Sequence, residues 1–540
     1  MMGRILFFAL AVFGPGCGAD DPSTDAAASD GGQDTANDVV VDAQPLAEDE
    51  RRLETGVIRG QREGGAYVFR GIPFAAPPVG QLRFRPPQPP AAWEGTREAT
   101  AFGPPCAQWP DMSSQEVLGE EDCLHLNVWE PAAEASPRPV MVWIHGGDNR
   151  LGSTGQAGWF EGEIYDGQNL ATQGDVVFVS VQYRLGALGF LSHPDFADDN
   201  PLGATGNWGL MDLRAALEWV QSNIAAFGGD PNNVTIFGQS AGGDNSCALV
   251  ASPQTAGLFH RAVFMSPGGC HSNDAAVSAR VTDAVLASID CDIAPDPVDC
   301  LRSAPMEWLA RGPQSGAPLH PERVDFYVEV DGWFLPEPPR DIYARGAQNA
   351  VPLMIGTTAE EYSRLLPVPA GVTEAESRAW MASLFGDALA DRVVAAYPAS
   401  DYGGSTRLAI IAAQGDAVHH CSVRRLARAA ESVQPVYRYV LGHRYSDSRL
   451  TGAAAAHGFD IPLVFGNATG IQWSPEEVML SDKMLSSFVR FAHIGDPNAS
   501  GQDDWPAYSS AADEVAVVAI PWASSTGFRA TQCDFWDSVQ

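Results

Sequence analysis

Hydrophobic residues recur along the chain in two alternating patterns. Short apolar runs rich in β-branched residues are typical of strands that are buried on both faces of a parallel sheet. Between some of these runs, apolar residues repeat with helical spacing, which predicts helices with one buried face. This alternation predicts an α/β fold with a mostly parallel central sheet and helices on both faces. The predicted strands are residues 140–144, 176–183, 234–237, 262–265, 351–355 and 436–441, and the predicted helices are residues 209–224 and 482–493.

The amino-terminal segment does not follow this pattern. Residues 5–13 form an apolar run after an arginine, too short to span a bilayer and of the length found in signal peptides. Residues 1–16 are therefore predicted to be a signal peptide. Residues 17–50 are mostly Asp, Ala, Ser and Gly, which bury too little apolar surface to fold. They are predicted to be a disordered acidic tether, followed by one catalytic domain at residues 51–540.

Cys17 lies directly after the predicted signal peptide. The small residues before it resemble a bacterial lipoprotein signal, in which the cysteine at the new amino terminus carries lipid. The leucine that usually stands three positions earlier is Gly14 here. Two interpretations therefore stay open, a cell-envelope protein tethered to the membrane through lipidated Cys17 and a secreted protein cleaved nearby. Both predict export.

Charge and cysteine content narrow the classes of function. The formal net charge is −34 over 540 residues, which argues against nucleic-acid binding because such proteins need a basic surface. Besides Cys17 the chain has eight cysteines, an even number that suits disulfides in an oxidising compartment. None has the C-x-x-C spacing of a metal site, and no metal or cofactor is expected. Spacing alone leaves most of the pairings open.

The sequence VTIFGQSAGG at residues 234–243 contains the motif G-x-S-x-G, centred on Ser240. Small residues on both sides of the serine allow a tight strand-to-helix turn that lifts its hydroxyl clear of the sheet edge. Ser240 is therefore the predicted nucleophile. The amide of Ala241, at the start of the following helix, is predicted to stabilise a developing oxyanion. The alternative is a chance match in a chain with 54 glycines.

Longer motifs in a fixed order make chance a poor explanation. The chain resembles the type-B carboxylesterase family, which includes cholinesterases and some fungal lipases, and the resemblance spans about residues 56–536. It implies the α/β-hydrolase fold and the hydrolysis of carboxylic esters through an acyl-enzyme. The motifs that carry it include FRGIPFAAPPVGQLRFRPP, EDCLHLNVW, VMVWIHGG, QYRLGALGFLS, NWGLMDLRAALEWV, GTTAEEY, HGFDIPLVFGN and FAHIGDPN.

A serine nucleophile needs a base to take its proton and an acid to orient that base. By the resemblance, the base is His457, which precedes the run GFDIPLVFG, and the acid is Glu361 in GTTAEEY. The neighbouring Glu360 stays open as an alternative, because a slip of one position would exchange the two acids. Other histidines after this motif precede no such run and are predicted to be structural or exposed. They are His419, His420, His443 and His493.

The oxyanion segment of the family resembles His-Gly-Gly-Asp-Asn at residues 145–149. The implied donors are the amides of Gly147, Asp148 and Ala241. Asp148 stands where glycine is common, and its carboxylate is expected to point away from the cleft because an inward carboxylate would repel the oxyanion. Asn149 replaces an aromatic residue and is expected to make the cleft more polar.

The resemblance also implies covalent and ionic links within the scaffold. It implies two ion pairs, Arg83 with Glu121 and Arg184 with Asp212. It pairs six of the cysteines and leaves Cys247 and Cys270 to pair with each other. The three implied disulfides are Cys106–Cys123, Cys291–Cys300 and Cys421–Cys533.

Three hypotheses about function follow. The loop between Cys106 and Cys123 is shorter than its counterpart in lid-gated lipases of the family, which favours soluble esters over emulsified triglyceride. Gln239 is neutral where many relatives carry glutamate, which weakens the case for a choline ester. The first hypothesis is a broad carboxylic-ester hydrolase acting on small-molecule esters. The others are a specialised hydrolase of a lipid, polyester or toxin, and a binding protein that has lost catalysis. The sequence specifies neither the physiological ester nor the oligomeric state.

Overall fold

The described part of the molecule, in a computed structural model, comprises residues 45–109, 116–133, 137–155, 163–313, 326–447, 450, 455–468, 470–500 and 505–539. The predicted signal peptide, Cys17 and most of the predicted tether lie outside these residues, as do residues 110–115 of the loop between Cys106 and Cys123. The folded unit begins at Leu46 and its first strand at Glu50, at the end of the segment predicted as a tether. No helix in the described ranges is both long and apolar enough to cross a bilayer.

Strands and helices alternate through most of the described chain. The strands are β1 Glu50–Leu53, β2 Gly56–Arg59, β3 Gln61–Glu63, β4 Ala66–Pro73, β5 Thr96–Glu98, β6 His125–Pro131, β7 Arg138–Ile144, β8 Val177–Val181, β9 Gly229–Gln239, β10 Arg261–Met265, β11 Leu353–Thr358, β12 Val436–Leu441, β13 Glu514–Val518 and β14 Ala523–Thr526. The helices are α1 Gln168–Gly174, α2 Gly186–Phe190, α3 Trp208–Asn223, α4 Ala241–Ala251, α5 Ala275–Ser288, α6 Pro297–Ser303, α7 Met306–Arg311, α8 Pro339–Ala344, α9 Glu374–Phe385, α10 Asp387–Ala396, α11 Thr406–Gly415, α12 Cys421–Ala430, α13 Ile461–Phe465, α14 Pro475–Ile494 and α15 Ala530–Asp537.

An 11-stranded sheet organises the fold. Its strand order is β14-β13-β12-β11-β10-β9-β7-β8-β6-β4-β3. From β13 to β8 in this order the strands run parallel, whereas both edges are antiparallel. A separate three-stranded sheet contains β1, β2 and β5. The predicted α/β architecture with a mostly parallel central sheet is confirmed.

Hydrophobic cores lie on both faces of the large sheet. Side chains alternate across a strand, so Val140, Val142 and Ile144 of β7 enter one core, while Met141 and Trp143 enter the other. The first core also receives apolar side chains of α3 and α4, and the second those of α1, α13 and α14. Because both faces are covered, the central strands can be apolar throughout.

Both predicted ion pairs are present. The guanidinium of Arg184 binds both carboxylate oxygens of Asp212, each at 2.7 Å, in the interior. The guanidinium of Arg83 binds both oxygens of Glu121, each at 2.5 Å. Separation of the two partners of a buried ion pair is costly because each is left as an uncompensated buried charge. Such a pair therefore keeps the two segments that carry it in fixed positions. The Asp212 pair therefore holds the start of α3 against the segment that follows β8.

Four disulfides join described residues, Cys106–Cys123, Cys247–Cys270, Cys291–Cys300 and Cys421–Cys533. The last of them links α12 to α15 across a sequence separation of 112 residues, whereas Cys291 and Cys300 are separated by 9 residues. A cross-link restricts the unfolded chain more when it closes a longer loop.

Replacement of both Cys421 and Cys533 by alanine is expected to lower the free energy of unfolding by about 5 kcal/mol on the chain-entropy scale. The matched replacement of Cys291 and Cys300 is expected to cost about 3 kcal/mol on the same scale. Denaturant unfolding followed by tryptophan fluorescence measures both losses. A Cys421 and Cys533 variant that loses no more stability than the Cys291 and Cys300 variant contradicts the prediction.

Candidate active site

The predicted site residues lie at one edge of the sheet. Ser240 directly follows β9, Gly147 and Asp148 follow β7, and Glu361 follows β11. His457 lies in the long connection between β12 and α13. Since these strands are parallel, their carboxyl ends meet at the same edge, which is where open α/β sheets place their ligand sites. A cavity of about 400 Å³ lies at this edge.

Ser240 lies in a strained turn between β9 and α4. Its backbone has φ 58° and ψ −127°, a conformation that residues other than glycine rarely adopt. A Cβ atom on Gly242 would lie 2.1 Å from the carbonyl oxygen of Ile144, and one on Gly238 would lie 2.4 Å from that of Gly242. The two glycines of the motif are therefore required by close backbone packing, and Ser240 is left facing the cavity.

Glu361 and His457 are in direct contact. Nδ1 of His457 lies 2.6 Å from Oε2 of Glu361, although the two residues are 96 positions apart. The other carboxylate oxygen of Glu361 accepts the amide N–H of Thr358 at 2.7 Å. Glu361 is fully buried, whereas His457 keeps one edge in the cavity. Glu360, the alternative acid, instead pairs with Arg444 near the surface.

The contact shifts the pKa of both groups. Burial alone would raise the pKa of Glu361, but attraction to the imidazoles of His419 and His457 lowers it below its ordinary value. Burial also acts to lower the pKa of His457, yet the Glu361 carboxylate outweighs this and raises it above its ordinary value. The pair is therefore a carboxylate beside an imidazole that accepts a proton readily.

The second ring nitrogen of His457 contacts a residue that the sequence motif did not single out. Its Nε2 lies 3.0 Å from Nε2 of Gln239. Because the Glu361 carboxylate accepts from Nδ1–H, Nε2 carries a lone pair and accepts the amide N–H of Gln239. The hydrogen bonds of the described residues include none between Ser240 and His457. The Gln239 amide thus occupies the Nε2 lone pair of His457.

Replacement of Gln239 by glutamate is expected to shift the pH profile. A carboxylate at this distance favours the imidazolium and so raises the pKa of His457. A histidine that serves as general base, the role predicted for His457, must be neutral to act, so the acid limb of kcat/KM is expected to move to higher pH by about one unit or more. Gln239→Met, which provides neither a charge nor a donor, is the matched control and is expected to show no such upward shift. An unchanged acid limb in Gln239→Glu would contradict the prediction.

The predicted oxyanion segment has an unusual backbone. Gly147, Asp148 and Asn149 all have positive φ, at 115°, 60° and 53°. A Cβ atom on Gly147 would lie 2.1 Å from the carbonyl oxygen of Leu151, so that position is restricted to glycine. Asp and Asn are the side chains that best tolerate the left-handed region, which is consistent with the two residues that follow. Gly147, Asp148 and Ala241 all line the cavity beside Ser240.

Asn149 does not line the cavity. Its side chain is 2% exposed, its Nδ2 donates to the carbonyl oxygen of Phe326 at 3.1 Å, and its Oδ1 accepts from Asn245 at 2.8 Å. The expectation that Asn149 makes the cleft more polar is therefore wrong. The side chain lies in the interior, where it ties the oxyanion segment to α4 and to the chain at Phe326.

Asp244 is a cavity residue that the sequence reasoning missed. Its two carboxylate oxygens accept the amide N–H groups of Gly268 and Cys270, each at 2.9 Å, and so hold the loop after β10 against α4. Burial raises the pKa of Asp244 to about 7. The sequence could have indicated this, because Asp244 stands four residues after Ser240 and so lies on the same face of α4 as the serine.

His419 was also missed as a cavity residue, because no motif surrounds it. The structure buries it at 5% exposure, with its ring centroid 5.3 Å from that of His457. It lies in a π-helical turn, Asp416–His420, between α11 and α12. Helical periodicity in the sequence cannot reveal such a turn, because the turn inserts a residue and rotates the side chains that follow.

Comparison with known proteins identifies the family. A sequence model described as the Carboxylesterase family matches residues 47–536. The chain belongs to the carboxylesterase family. This carboxylesterase is 34% identical over 479 residues to the para-nitrobenzyl esterase of Bacillus subtilis strain 168, a match that covers 86% of this chain and 93% of that protein. It is 35% identical over 484 residues to the fumonisin B1 esterase of Sphingopyxis macrogoltabida, which covers 85% of this chain and 84% of the relative.

Solved structures agree with the sequence comparison. A PNB esterase structure superposes with a TM-score of 0.78 at 32% identity and covers 91% of this chain and 100% of its own. The resemblance seen in the sequence is confirmed, and with it the α/β-hydrolase fold. The protein is a carboxylic-ester hydrolase.

Proposed function

We propose that this carboxylesterase hydrolyses soluble small-molecule esters through an acyl-enzyme on Ser240, with His457 as general base and Glu361 as the acid that orients it. The observation that carries the proposal is the 2.6 Å contact between Glu361 and His457, together with one cavity that is lined by both His457 and a serine held in a strained turn. Such an arrangement matches the roles required of nucleophile, base and orienting acid.

In the proposed reaction, His457 Nε2 exchanges the Gln239 amide for the Ser240 hydroxyl once an ester occupies the cavity. The serine oxygen attacks the ester carbonyl carbon while His457 takes the serine proton, and the amides of Gly147, Asp148 and Ala241 stabilise the oxyanion. The imidazolium then gives its proton to the leaving alcohol. A water molecule, activated by the same base, hydrolyses the acyl-enzyme.

Several observations support a broad range of esters. The two relatives, with 34 and 35% identity, are named for different substrates, a para-nitrobenzyl ester and fumonisin B1. The cavity wall combines apolar side chains, such as Leu151 and Ile461, with polar ones, such as Asp244 and His271. A panel of p-nitrophenyl esters of increasing acyl length separates a broad esterase from a specialised one.

The proposal includes export. Four disulfides favour an oxidising compartment. The signal peptide and the lipidation of Cys17 lie outside the described residues and stay predictions from the sequence. Mass spectrometry of the mature amino terminus distinguishes a lipid-modified cysteine from a plain cleaved end.

Covalent labelling tests the proposed nucleophile. Diisopropyl fluorophosphate is expected to abolish activity at one equivalent bound and to place its phosphoryl group on the peptide that contains Ser240. Ser240→Ala protein is the control and is expected to take up no label. Label on another residue, or full activity after complete labelling of Ser240, would overturn the proposal.

A further inference from the structure

The loop that follows β10, residues 266–271, forms part of the cavity wall, and Ser266 and Gly268 are among its residues that line the cavity. This β10 loop begins directly after Met265, whose carbonyl oxygen accepts the amide N–H of Ser240 at 2.8 Å. The loop therefore leaves the sheet beside the proposed nucleophile. A small displacement of its backbone changes the space that is open to an ester.

The backbone of the β10 loop is strained. Ser266 and Cys270 have positive φ values of 47° and 58°, in a region that residues other than glycine rarely occupy. Such conformations persist only where the surrounding structure holds them, and they cluster at functional sites. The conformation of the loop therefore depends on the contacts that hold it.

Two cavity residues that the proposed mechanism does not use bind the same peptide unit of this loop. Nδ1–H of His419 donates to the carbonyl oxygen of Pro267 at 2.9 Å, since a carbonyl oxygen can only accept. The amide N–H of Gly268, at the other end of that peptide unit, donates to Oδ2 of Asp244 at 2.9 Å. Both side chains are buried, so water competes little for either hydrogen bond.

Two further contacts join the β10 loop to α4, the helix that begins directly after Ser240. The second carboxylate oxygen of Asp244 accepts the amide N–H of Cys270 at 2.9 Å. The side chain of Cys270 forms a disulfide with Cys247, which belongs to α4, as Asp244 does. A carboxylate and a disulfide therefore both fix the loop to the helix that carries the proposed nucleophile at its start.

We propose that Asp244, His419 and the Cys247–Cys270 disulfide are positioning groups that hold the β10 loop as a selectivity wall beside Ser240. The inference rests on the proposed function, because it requires that esters bind in this cavity. A wall that is held in place discriminates between esters, since an ester that fits poorly must displace it at a cost in free energy. A loosened wall yields to such an ester, so the difference in kcat/KM between esters becomes smaller.

Asp244→Asn is the first test. Asparagine keeps the size of the side chain, but its NH₂ group faces one of the two amide N–H groups that the carboxylate accepts. Hydrolysis of p-nitrophenyl esters from acetate to octanoate is measured at about pH 8.5, where wild-type Asp244 is ionised because burial raises its pKa to about 7. The ratio of the highest to the lowest kcat/KM in this panel is expected to fall by about fivefold or more. The amount of active protein cancels in this ratio, so a loss of stability alone leaves it unchanged.

Replacement of both Cys247 and Cys270 by alanine is the second test, because it removes a different contact of the same loop. The same ratio is expected to fall. Two controls remove contacts of the same kinds elsewhere: Asp274→Asn alters the carboxylate that caps α5, and replacement of Cys291 and Cys300 by alanine removes another disulfide. Neither contact belongs to the described lining of the cavity, so the ratio is expected to stay within about twofold of the wild-type value.

The possible outcomes separate the selectivity wall from the assignment of the nucleophile. A ratio within about twofold of the wild-type value in both test variants overturns the wall, and it leaves the labelling of Ser240 by diisopropyl fluorophosphate untouched. An equal fall in the ratio in the two controls also overturns it, because selectivity would then follow any loss of a carboxylate or disulfide. A fall in both test variants, each still labelled at Ser240, with unchanged controls supports the proposal.

Discussion

Ser240→Ala is expected to lower kcat for p-nitrophenyl butyrate by at least about ten-thousand-fold, with a small change in KM. The hydroxyl is the atom that forms the acyl-enzyme in the proposed mechanism, so its removal leaves only the oxyanion donors and substrate binding. Alanine differs from serine only by the absent hydroxyl, so the strained turn between β9 and α4 is expected to persist. Stopped assays at high enzyme concentration measure the residual rate.

The control for Ser240→Ala is a test that the variant folds like the wild-type protein. Circular dichroism and the thermal midpoint are expected to match those of the wild-type protein, because the residue touches the cavity and lies outside both hydrophobic cores. A variant that keeps its fold and hydrolyses the ester within tenfold of the normal rate would rule out Ser240 as the nucleophile.

Glu361→Gln is expected to lower kcat by about a thousand- to ten-thousand-fold. The amide has the size of the carboxylate but removes the charge, and its NH₂ group can donate to Nδ1 of His457, which stabilises the wrong tautomer. Since the Glu361 carboxylate raises the pKa of His457, the acid limb of the residual kcat/KM is also expected to move to lower pH. Steady-state rates between pH 5 and pH 9 measure both effects.

Glu360→Gln is the matched control for this prediction. Glu360 is adjacent in sequence, carries the same charge and pairs with Arg444 near the surface, so its loss is expected to change kcat by less than about threefold. The reverse result, a severe loss in Glu360→Gln and near-normal activity in Glu361→Gln, would transfer the role of the acid to Glu360. The pair of variants therefore decides between the two acids that the sequence motif left open.

The central strands of the sheet were largely predictable because burial on both faces leaves a direct record in the sequence. The predicted strand 140–144 lies within β7, and the predicted strand 436–441 coincides with β12. The bounds were less accurate where backbone pairing continues into polar residues, and β9 accordingly begins at Gly229, before the apolar run at 234–237. Helix α14 begins at Pro475 and not at 482, although Ser474 and Glu477 form a capping box that the sequence displays.

The side chains around the candidate site were harder to predict because long-range contacts set their directions. The placement of Asn149 in the interior depends on Asn245 and Phe326, which no spacing rule connects to it. The contact between Gln239 and His457 joins residues 218 positions apart. The π-helical turn at His419 breaks the periodicity on which helix prediction relies. The sequence motifs therefore predicted which residues belong to the candidate site, whereas tertiary packing determined the contacts of each side chain.

The cavity wall is built from several separate loops at the carboxyl edge of the sheet. Tyr165, Gly268, Tyr327 and Tyr362 line it, and each comes from a different connection between the regular elements. Connections tolerate substitution better than strands do, and those that carry Gly268 and Tyr327 contain none of the proposed catalytic residues. Exchange of the connection at Tyr327 with that of a relative is therefore expected to change which esters fit, while the rate of the chemical step on a shared ester is retained.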